Sequence, residues 1–460
     1  MKLVFLYLLA VANLICVLHI GLYTIGANFY DVKKFKQARD KINKNLTKNT
    51  KKIPKPALVS VIIPAHNEAK VIRRTLDSVL VSNYSKIEII VVNDGSSDRT
   101  KEIVKDYIKR VRTRSKLRIK SPFNQDGLLF ADKIHWVWVF RRYCRIRIIT
   151  QANEGKAAAM NNAIKNYAKG QFIMCLDADS ILHPQAIKRA VEYFKDNHVI
   201  GVAANVRIIE SKSILGKVQR FEHLIGYRSK KFFTLTNSEF IVGGVASTYR
   251  RTALKRVKFY DNDTMTEDIG LSIKLIAKNG NKSRRIIYAS DVVALTEGVH
   301  TFQDLLKQRY RWKMGNLQNL FKYRSLIGRY DPKNYSRMLT MYRLPMALVS
   351  ELLLLLEPIL LGYVIYLSIS YHTIGIAIGA YMTITFYVMN ALWPDEHLSL
   401  SDKIKMSLSA VWIYGVFYIM DVVQISAILK SLRLYKNILN TNMSLNTWIS
   451  PKRAKQTSPA

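Results

Sequence analysis

This 460-residue chain has few cysteines, and few acidic side chains for its number of basic ones. Its three cysteines, Cys16, Cys144 and Cys175, stand far apart with no metal-ligand spacing. A disulfide framework and a zinc cluster are therefore excluded, and a reduced, cytosolic setting for the soluble part is expected. Only 33 Asp and Glu face 71 Lys and Arg, a net charge of +38. Such a balance raises nucleic acid, anionic lipid and diphosphates as partners. No nucleic-acid module accompanies it, neither a helix-turn-helix nor an aromatic RNA-binding strand pattern, and the basic residues are spread over 33–55, 110–118 and 452–455. Nucleic acid is not expected; the excess of Lys and Arg on cytoplasmic faces of membrane proteins accounts for the charge. At 49% hydrophobic and 23% charged the chain fits neither a disordered nor a wholly membrane-embedded protein.

What is present begins with an apolar run, residues 3–25, long enough to cross a bilayer. It lacks an A-x-A-like cleavage site, and its basic flank, Lys33, Lys34 and Lys36, follows it. An uncleaved anchor over residues 1–26 is expected rather than a signal peptide, followed by a basic linker at 27–57. Apolar segments at 344–369, 373–393 and 408–432 define a C-terminal transmembrane region over 344–432, between an interfacial segment at 323–343 and a basic tail at 433–460. Glu351, Glu357 and Asp421 lie within it. A carboxylate near a bilayer centre costs about 2.5 to 3.5 kcal/mol, so each needs a polar interior or a partner. Glu357 and Asp421 are candidates for a polar translocation path; hydrogen bonding between helices, or a position near the interface, is the alternative. Three spans starting inside would leave the basic tail outside, against the positive-inside tendency; a re-entrant or in-plane segment would remove that conflict.

Between these regions, residues 58–322 read as a soluble α/β domain. Short β-branched runs at 58–63, 87–92, 146–150 and 172–176 alternate with amphipathic stretches at 68–81, 98–110 and 155–167. That β-α-β-α-β order predicts a mostly parallel sheet, with ligand residues at the carboxyl ends of strands, where Asn67, Asp94 and Asp177 fall. Residues 115–142, with Trp136, Trp138 and Phe140, read as an inserted hairpin or a membrane-surface element, and carry no functional reading.

Asp177-Ala178-Asp179 follows a buried strand and sets two carboxylates on one side, a spacing suited to one ion. Hard oxygen ligands favour Mg²⁺ or Mn²⁺ bridging substrate phosphates; a solvated turn is the plain alternative. Asn93-Asp94-Gly95-Ser96-Ser97-Asp98 ends a strand and opens a helix, with Ser97 or Asp98 as N-cap and Asp94 free at the tip to meet a base or ribose. Asn153-Glu154-Gly155-Lys156 offers a lysine suited to phosphate or uracil. Thr266-Glu267-Asp268 precedes an amphipathic run, where one acid serves the helix N-terminus and a helix start also aims a base well. Gln308, Arg311 and Trp312 share one helical face, where a guanidinium can meet a diphosphate while an indole packs on a sugar; an interfacial amphipathic helix explains the same residues.

In that order, after the opening Pro64-Ala65-His66-Asn67-Glu68, these motifs resemble the processive family-2 glycosyltransferases, the membrane synthases of hyaluronan, chitin, cellulose and poly-N-acetylglucosamine. The resemblance covers residues 58–320 motif by motif. It implies a GT-A-type fold flanked by transmembrane helices, catalytic domain cytosolic, in a plasma (inner) membrane crossed several times. It also implies an inverting enzyme that polymerises a UDP-sugar into a β-linked polysaccharide and translocates it. Carried over by position, Ala65, Glu68 and Asp94 hold uridine with Lys156 beside it, Asp177 meets the nucleotide and Asp179 a divalent metal. Asp268 becomes the general base, Gln308, Arg311 and Trp312 bind the diphosphate and the acceptor end, and Gly243 and Gly244 mark an acceptor loop. Met265 to Leu271, Gln308 to Asn316 and the ending around Trp448 to Arg453 look most similar to the poly-N-acetylglucosamine branch. The 242–250 loop lacks the cysteine and proline of hyaluronan and chitin types, and Glu297-Gly-Val-His300 stands where such synthases often carry a proline. The partners implied are a UDP-sugar, a growing polysaccharide and the bilayer, with room for a small membrane accessory subunit. Hyaluronan or chitin synthesis, transfer to a polyprenyl phosphate, and a non-catalytic membrane scaffold are the competing functions.

Overall fold

The computed structural model describes residues 2–47, 56–113, 116–121, 123, 135–140, 145–209 and 213–439. Residues 48–55 of the expected linker, much of the 115–142 insertion, Cys144, and the tail from 440, with its 448–453 and 452–455 signatures, lie outside the described residues.

Helix α1 (Lys2–Thr47) covers the residues expected to form an anchor and runs on through 27–47, where a linker was expected. Residues 27–47 contain no Gly or Pro to stop it. It is also tied to the soluble domain: Asp31 pairs with Lys231 at 2.6 Å and Arg228 at 3.3 Å, and Lys34 pairs with Asp291 at 3.1 Å.

The domain then alternates as expected: β1 (Val59–Ala65), α2 (Ile72–Leu80), β2 (Ile87–Asp94), α3 (Thr100–Thr113), a two-stranded antiparallel insertion of β3 (Lys116–Ser121) and β4 (His135–Phe140), β5 (Arg145–Gln151), α4 (Lys156–Asn162) and β6 (Phe172–Cys175). The hairpin reading of the insertion is correct for its described residues. After it come β7 (Ile181–Leu182), α5 (Ala186–Tyr193), β8 (Val199–Ile208), α6 (Ile214–Leu235), β9 (Ser247–Arg250), α7 (Arg251–Arg256), α8 (Glu267–Asn279), β10 (Arg285–Thr296) and α9 (Phe302–Lys322). Eight strands join in one sheet, ordered β5-β2-β1-β6-β9-β8-β10-β7. The first four are parallel, as expected, but β9 runs antiparallel to both β6 and β8, and β7 antiparallel to β10. The sheet is mixed because its second half is built from strands that the alternating pattern did not cover.

Every residue of β1 and β2 is buried, the signature of central strands covered on both faces. Alternation sends Val59, Val61 and Ile63 into one core layer and Ile62, Ile90 and Val92 into the other. One charge interrupts these runs. Glu88, 2% exposed, accepts hydrogen bonds from Ser60 Oγ (2.6 Å), Lys169 N (2.6 Å) and Gly170 N (3.2 Å), holding the turn into β6. Glu88→Ala would remove the acceptor of Ser60 Oγ and Lys169 N, while Gly170 N keeps its bond to Ser60 Oγ (2.8 Å), and each buried unsatisfied group costs about 1–3 kcal/mol. A lowered denaturation midpoint of the full chain in detergent is expected; an unchanged midpoint would show that the turn is held by other means.

Beyond α9 the chain forms three long helices, α10 (Leu344–Ser370), α11 (Ile374–Leu392) and α12 (Leu400–Arg433). Among the described residues, two stretches are long and apolar enough to cross a membrane, Met338–Ser370 and Gly415–Arg433.

Candidate active site

The tips of β1, β2 and β6 bring the acidic motifs to one edge of the sheet, each held by short-range bonds. Asn67, in the left-handed region (φ 57), turns its Oδ1 to the backbone N–H of Ser97 (2.8 Å) and Asp98 (3.3 Å). Asp98 in turn accepts from Thr100 N (3.0 Å), the first residue of α3, but it stands one position before the N-cap, which Arg99 occupies, so the N-cap expected at Ser97 or Asp98 falls one residue later. Asp94 was expected to stand free, and does not. It is fully buried, and its carboxylate accepts from Gln151 Nε2 (2.9 Å), Glu154 N (3.1 Å) and Gly155 N (2.9 Å). These bonds clasp the loop that launches Lys156. Glu68 and Ala65 are likewise buried, Glu68 with its backbone N–H on Thr100 Oγ1 (2.9 Å).

Lys156 is the centre of the site. Its Nζ lies 2.7 Å from Asp177 Oδ1 and 3.3 Å from Glu267 Oε1. Burial alone would lower its pKa, but Asp177, Glu267 and Asp268 together more than offset that and raise it, so the ammonium stays charged. Asp268 opens α8 and accepts a hydrogen bond from Ile269 N at 2.8 Å. Burial first, then the adjacent Glu267, push its carboxyl up to about 6, against the downward pull of Lys156. Gly244 closes the cluster. A Cβ there would sit 2.8 Å from Lys156 Nζ, 3.6 Å from Asp268 Oδ2 and 3.8 Å from Asp177 Oδ1, so a side chain at this position would displace the Lys156 ammonium. Gly243, beside it, meets open space.

Asp179 points elsewhere. Its Oδ1 accepts from Ser180 Oγ (3.1 Å) and Thr296 Oγ1 (3.5 Å). From behind, α2 clamps this turn: Thr75 Oγ1 donates to Ala178 O (2.6 Å), and Arg74 donates to Asp179 O (2.9 Å) while pairing with Glu297 (2.8 Å). Glu297 therefore serves as the anchor of Arg74. Among the described residues, no three acidic, histidine or cysteine ligands converge as a metal cage. Asp177 and Asp179 offer carboxylate oxygens, the hard donors that Mg²⁺ and Mn²⁺ take.

Helix α9 holds the loop that carries the candidate base. Asn319, fully buried, donates from Nδ2 to Thr266 O and Thr266 Oγ1, both at 3.1 Å, and Gln318 Oε1 accepts from Met265 N at 2.9 Å. Thr266 forms no side-chain cap to α8, its hydroxyl accepting from Asn319 instead, while Glu267 and Asp268 both lie in the first turn of α8, where an acid was expected to serve the helix N-terminus. Gly315 lets the helix approach, since a Cβ there would lie 2.4 Å from Thr266 Oγ1. On the same helix Gln308 Oε1 is buried without a hydrogen-bond partner. No ion pair or hydrogen bond engages Arg311 among the described residues. Trp312 stacks instead on Arg309, whose guanidinium is 4.3 Å from the indole and 2.5 Å from Glu222. Lys313 pairs with Glu351 at 2.6 Å, and Asp421 lies within electrostatic reach of Glu357, Glu222 and Lys313. Sequence reasoning missed Asn319, Gln318, Arg74, Arg309 and Glu222. Of these, only the one-turn spacing of Asn319 from Gly315 on the motif helix offered a signal.

Comparison with known proteins identifies the class. A model described as Glycosyl transferase family 2 matches residues 60–128, and one described as Glycosyltransferase like family 2 matches residues 134–315. The chain thus carries a glycosyltransferase family 2 domain, folded as a GT-A-type mixed sheet. Among curated relatives it is similar to the poly-beta-1,6-N-acetyl-D-glucosamine synthases of Staphylococcus epidermidis, 33% identical over 267 residues (57% of this chain, 56% of the relative), and of Staphylococcus aureus strain COL, 34% identical over the same length and coverage. The chain spans little more than half the length of these relatives. Solved structures include a mannosyltransferase from Pyrobaculum calidifontis in complex with GDP-Man and Mn²⁺ (TM-score 0.49, 19% identity, 92% of this chain and 99% of that one). Another is Staphylococcus aureus TarS 1–349 with UDP-GlcNAc (TM-score 0.36, 14% identity, 82% and 91%).

The α9 clamp makes a direct prediction. Asn319→Ala frees the 264–268 loop, and small misplacements of a reacting group cost on the order of 10²-fold. Sugar transfer is expected to slow by about 10- to 100-fold with the donor KM nearly constant. A normal rate would show that Gln318 and Gly315 suffice.

Proposed function

We propose that the chain is a membrane-bound inverting glycosyltransferase that adds N-acetylglucosamine from UDP-N-acetylglucosamine to a growing β-linked polysaccharide and passes the product across the plasma membrane. The observation that carries the reading is the carboxylate of Asp268, lifted to about 6 at the mouth of a cluster shared with Lys156, Asp177 and Gly244. An acceptor hydroxyl is too weak an acid to react unaided at neutral pH, and a base tuned near the working pH is the efficient solution. In this reading the acceptor oxygen attacks the anomeric carbon, its proton passes to Asp268, and the bond to the diphosphate breaks with its electron pair leaving on UDP. Attack opposite the leaving group converts an α-linked donor into a β-linked product.

The remaining residues bind and orient. Ala65, Glu68 and Asp94 shape the nucleotide end, Asp94 by fixing the 151–155 loop. Lys156 limits repulsion among three carboxylates, and Asp177 faces the nucleotide. Arg311 and the unsatisfied carbonyl of Gln308 suit the diphosphate and acceptor, with Trp312 held for stacking by Arg309. Asp179 is the residue that would hold a divalent ion, which when bound supplies positive charge to the leaving diphosphate. Gly243, which faces open space, and Gly244, beside the Lys156 ammonium, would form the loop that meets an acceptor sugar. Glu357 and Asp421, the latter within electrostatic reach of Glu357, Glu222 and Lys313, are the polar groups suited to an exit path. The choice of N-acetylglucosamine is supported by the named relatives and by the motif similarities at 265–271 and 308–316.

Two outcomes test this. Because Asp268 must be ionised to accept a proton, kcat/KM for the donor should rise about tenfold per pH unit below about 6 and level off above it. Asp268→Asn should bind donor normally and lose about 10²- to 10⁴-fold in turnover; an unchanged rate would return Glu267 as the base. The linkage to stability has the opposite trend. A raised carboxyl pKa means the folded state holds its proton more tightly, so this group's contribution is full below about 4 and is lost as pH rises through about 6. For the ion, Asp179→Ala and chelation should each abolish transfer by a chain that remains folded, and substantial activity in EDTA would remove that role.

A further inference from the structure

We infer that Ser272 is a positioning residue: its buried hydroxyl ties the 238–246 loop, which carries Gly243 and Gly244, to the helix turn that carries Asp268, and so holds the acceptor sugar where its hydroxyl, and not water, attacks the donor. The inference rests on the reading above that this site transfers sugar to a growing chain.

Ser272 lies on α8 one turn after Asp268 and is fully buried. A serine inside a helix often returns its proton to the carbonyl four residues back, and here Oγ donates to Asp268 O at 2.7 Å. That bond uses the one hydroxyl proton and leaves the lone pairs to accept. Ser272 Oγ accepts from Val242 N at 3.0 Å, a contact across 30 positions of sequence. The Tyr249 hydroxyl reaches Val242 O at 3.5 Å, so both backbone groups of this residue are engaged. The residues before it are braced in the same manner. Glu239 Oε1 accepts from Phe240 N (3.0 Å) and Ile241 N (2.8 Å), and Lys230 Nζ of α6 donates to Ile241 O (3.0 Å).

Beyond this braced stretch the loop reaches the site through its backbone. Gly243 meets open space, and Gly244 passes so close to the cluster that a Cβ would sit 2.8 Å from Lys156 Nζ. The position of both glycines is therefore set by the peptides just before them. The fold does not hang on the same bonds: Phe240, Val242, Tyr249, Leu271 and Ile273 pack in one apolar cluster, which Ser272→Ala leaves in place. Nor does the base, because the helix's own bond from the backbone N–H of Ser272 still ends on the carbonyl of Asp268. What the substitution removes is the acceptor of Val242 N, which frees the loop relative to Asp268. Misplacing an acceptor by about 1 Å costs on the order of 10²-fold, whereas water needs no such placement. When water is the nucleophile, its oxygen bonds to the anomeric carbon, one of its protons passes to Asp268, and the donor's bond to diphosphate breaks with the electron pair leaving on UDP. Free sugar and UDP result, without chain growth.

The test reconstitutes the full chain, unaltered or as Ser272→Ala or Lys230→Met, in lipid with a divalent cation and UDP-N-acetylglucosamine, and measures UDP released against N-acetylglucosamine incorporated into polymer. In Ser272→Ala the UDP released per sugar incorporated should rise on the order of tenfold, with the donor KM within about twofold of the unaltered chain. Lys230→Met, which frees the neighbouring peptide, takes its place if Ser272→Ala does not fold, with the same direction expected. An unchanged ratio in the folded variant, with release and incorporation falling together, would overturn the inference and leave Ser272 a purely structural group. UDP release without polymer from the unaltered chain would instead refute the chain-extending reading, and this inference with it.

Discussion

Three carboxylates packed around one ammonium are the constraint on which the rest of the site depends. Asp177, Glu267 and Asp268 would repel one another in so dry a space, and Lys156, 2.7 Å and 3.3 Å from the first two, offsets that repulsion. The offset is incomplete at Asp268, and the incompleteness is useful: its carboxyl is lifted to about 6 and becomes a better proton acceptor near neutral pH. Much of the surrounding structure serves this balance. Asp94 fixes the loop before Lys156, Gly244 yields the space its ammonium occupies, and α9 fixes the loop before Asp268.

Helix α9 does two jobs at once. Its inner residues Gly315, Gln318 and Asn319 grip the 264–268 loop, while its outer residues reach the apolar helices through Lys313–Glu351 and the packing of Leu305 on α12. Arg309, locked to Glu222 of α6, supports Trp312 between these two contacts. A displacement of α10 or α12 would thus act on the element that fixes the candidate base, which gives a physical route between the long apolar helices and the chemistry.

The parallel half of the sheet and the acidic strand tips were legible because both are local signals. Runs such as Ile87–Asp94 are short, β-branched and bounded by turn residues, and the acids fall directly after them. What the sequence did not reveal is long-range or compensating. Asn319 meets Thr266 across 53 positions, and Arg74 meets Glu297 across 223, so neither pairing leaves a periodic trace. β9 is only four residues long, too short to announce that it reverses the sheet. Asp94 looked available because the backbone donors that fill its carboxylate, Glu154 and Gly155, arrive from another strand's loop. The linker over 27–47 was misjudged by its charge, although its lack of Gly and Pro already permitted a helix.

The central claim is that this site joins N-acetylglucosamine units into a β-linked polymer. The most direct measurement incubates the full chain, reconstituted in lipid with a divalent cation, with UDP-N-acetylglucosamine, UDP-glucose and UDP-glucuronic acid separately, and digests any product with linkage-specific hydrolases. The account predicts UDP release and a polymer from UDP-N-acetylglucosamine alone, degraded only by enzymes that cleave β-linked N-acetylglucosamine. A polymer built from another donor, or release of UDP with no polymer in an enzyme whose donor binding is intact, would contradict it.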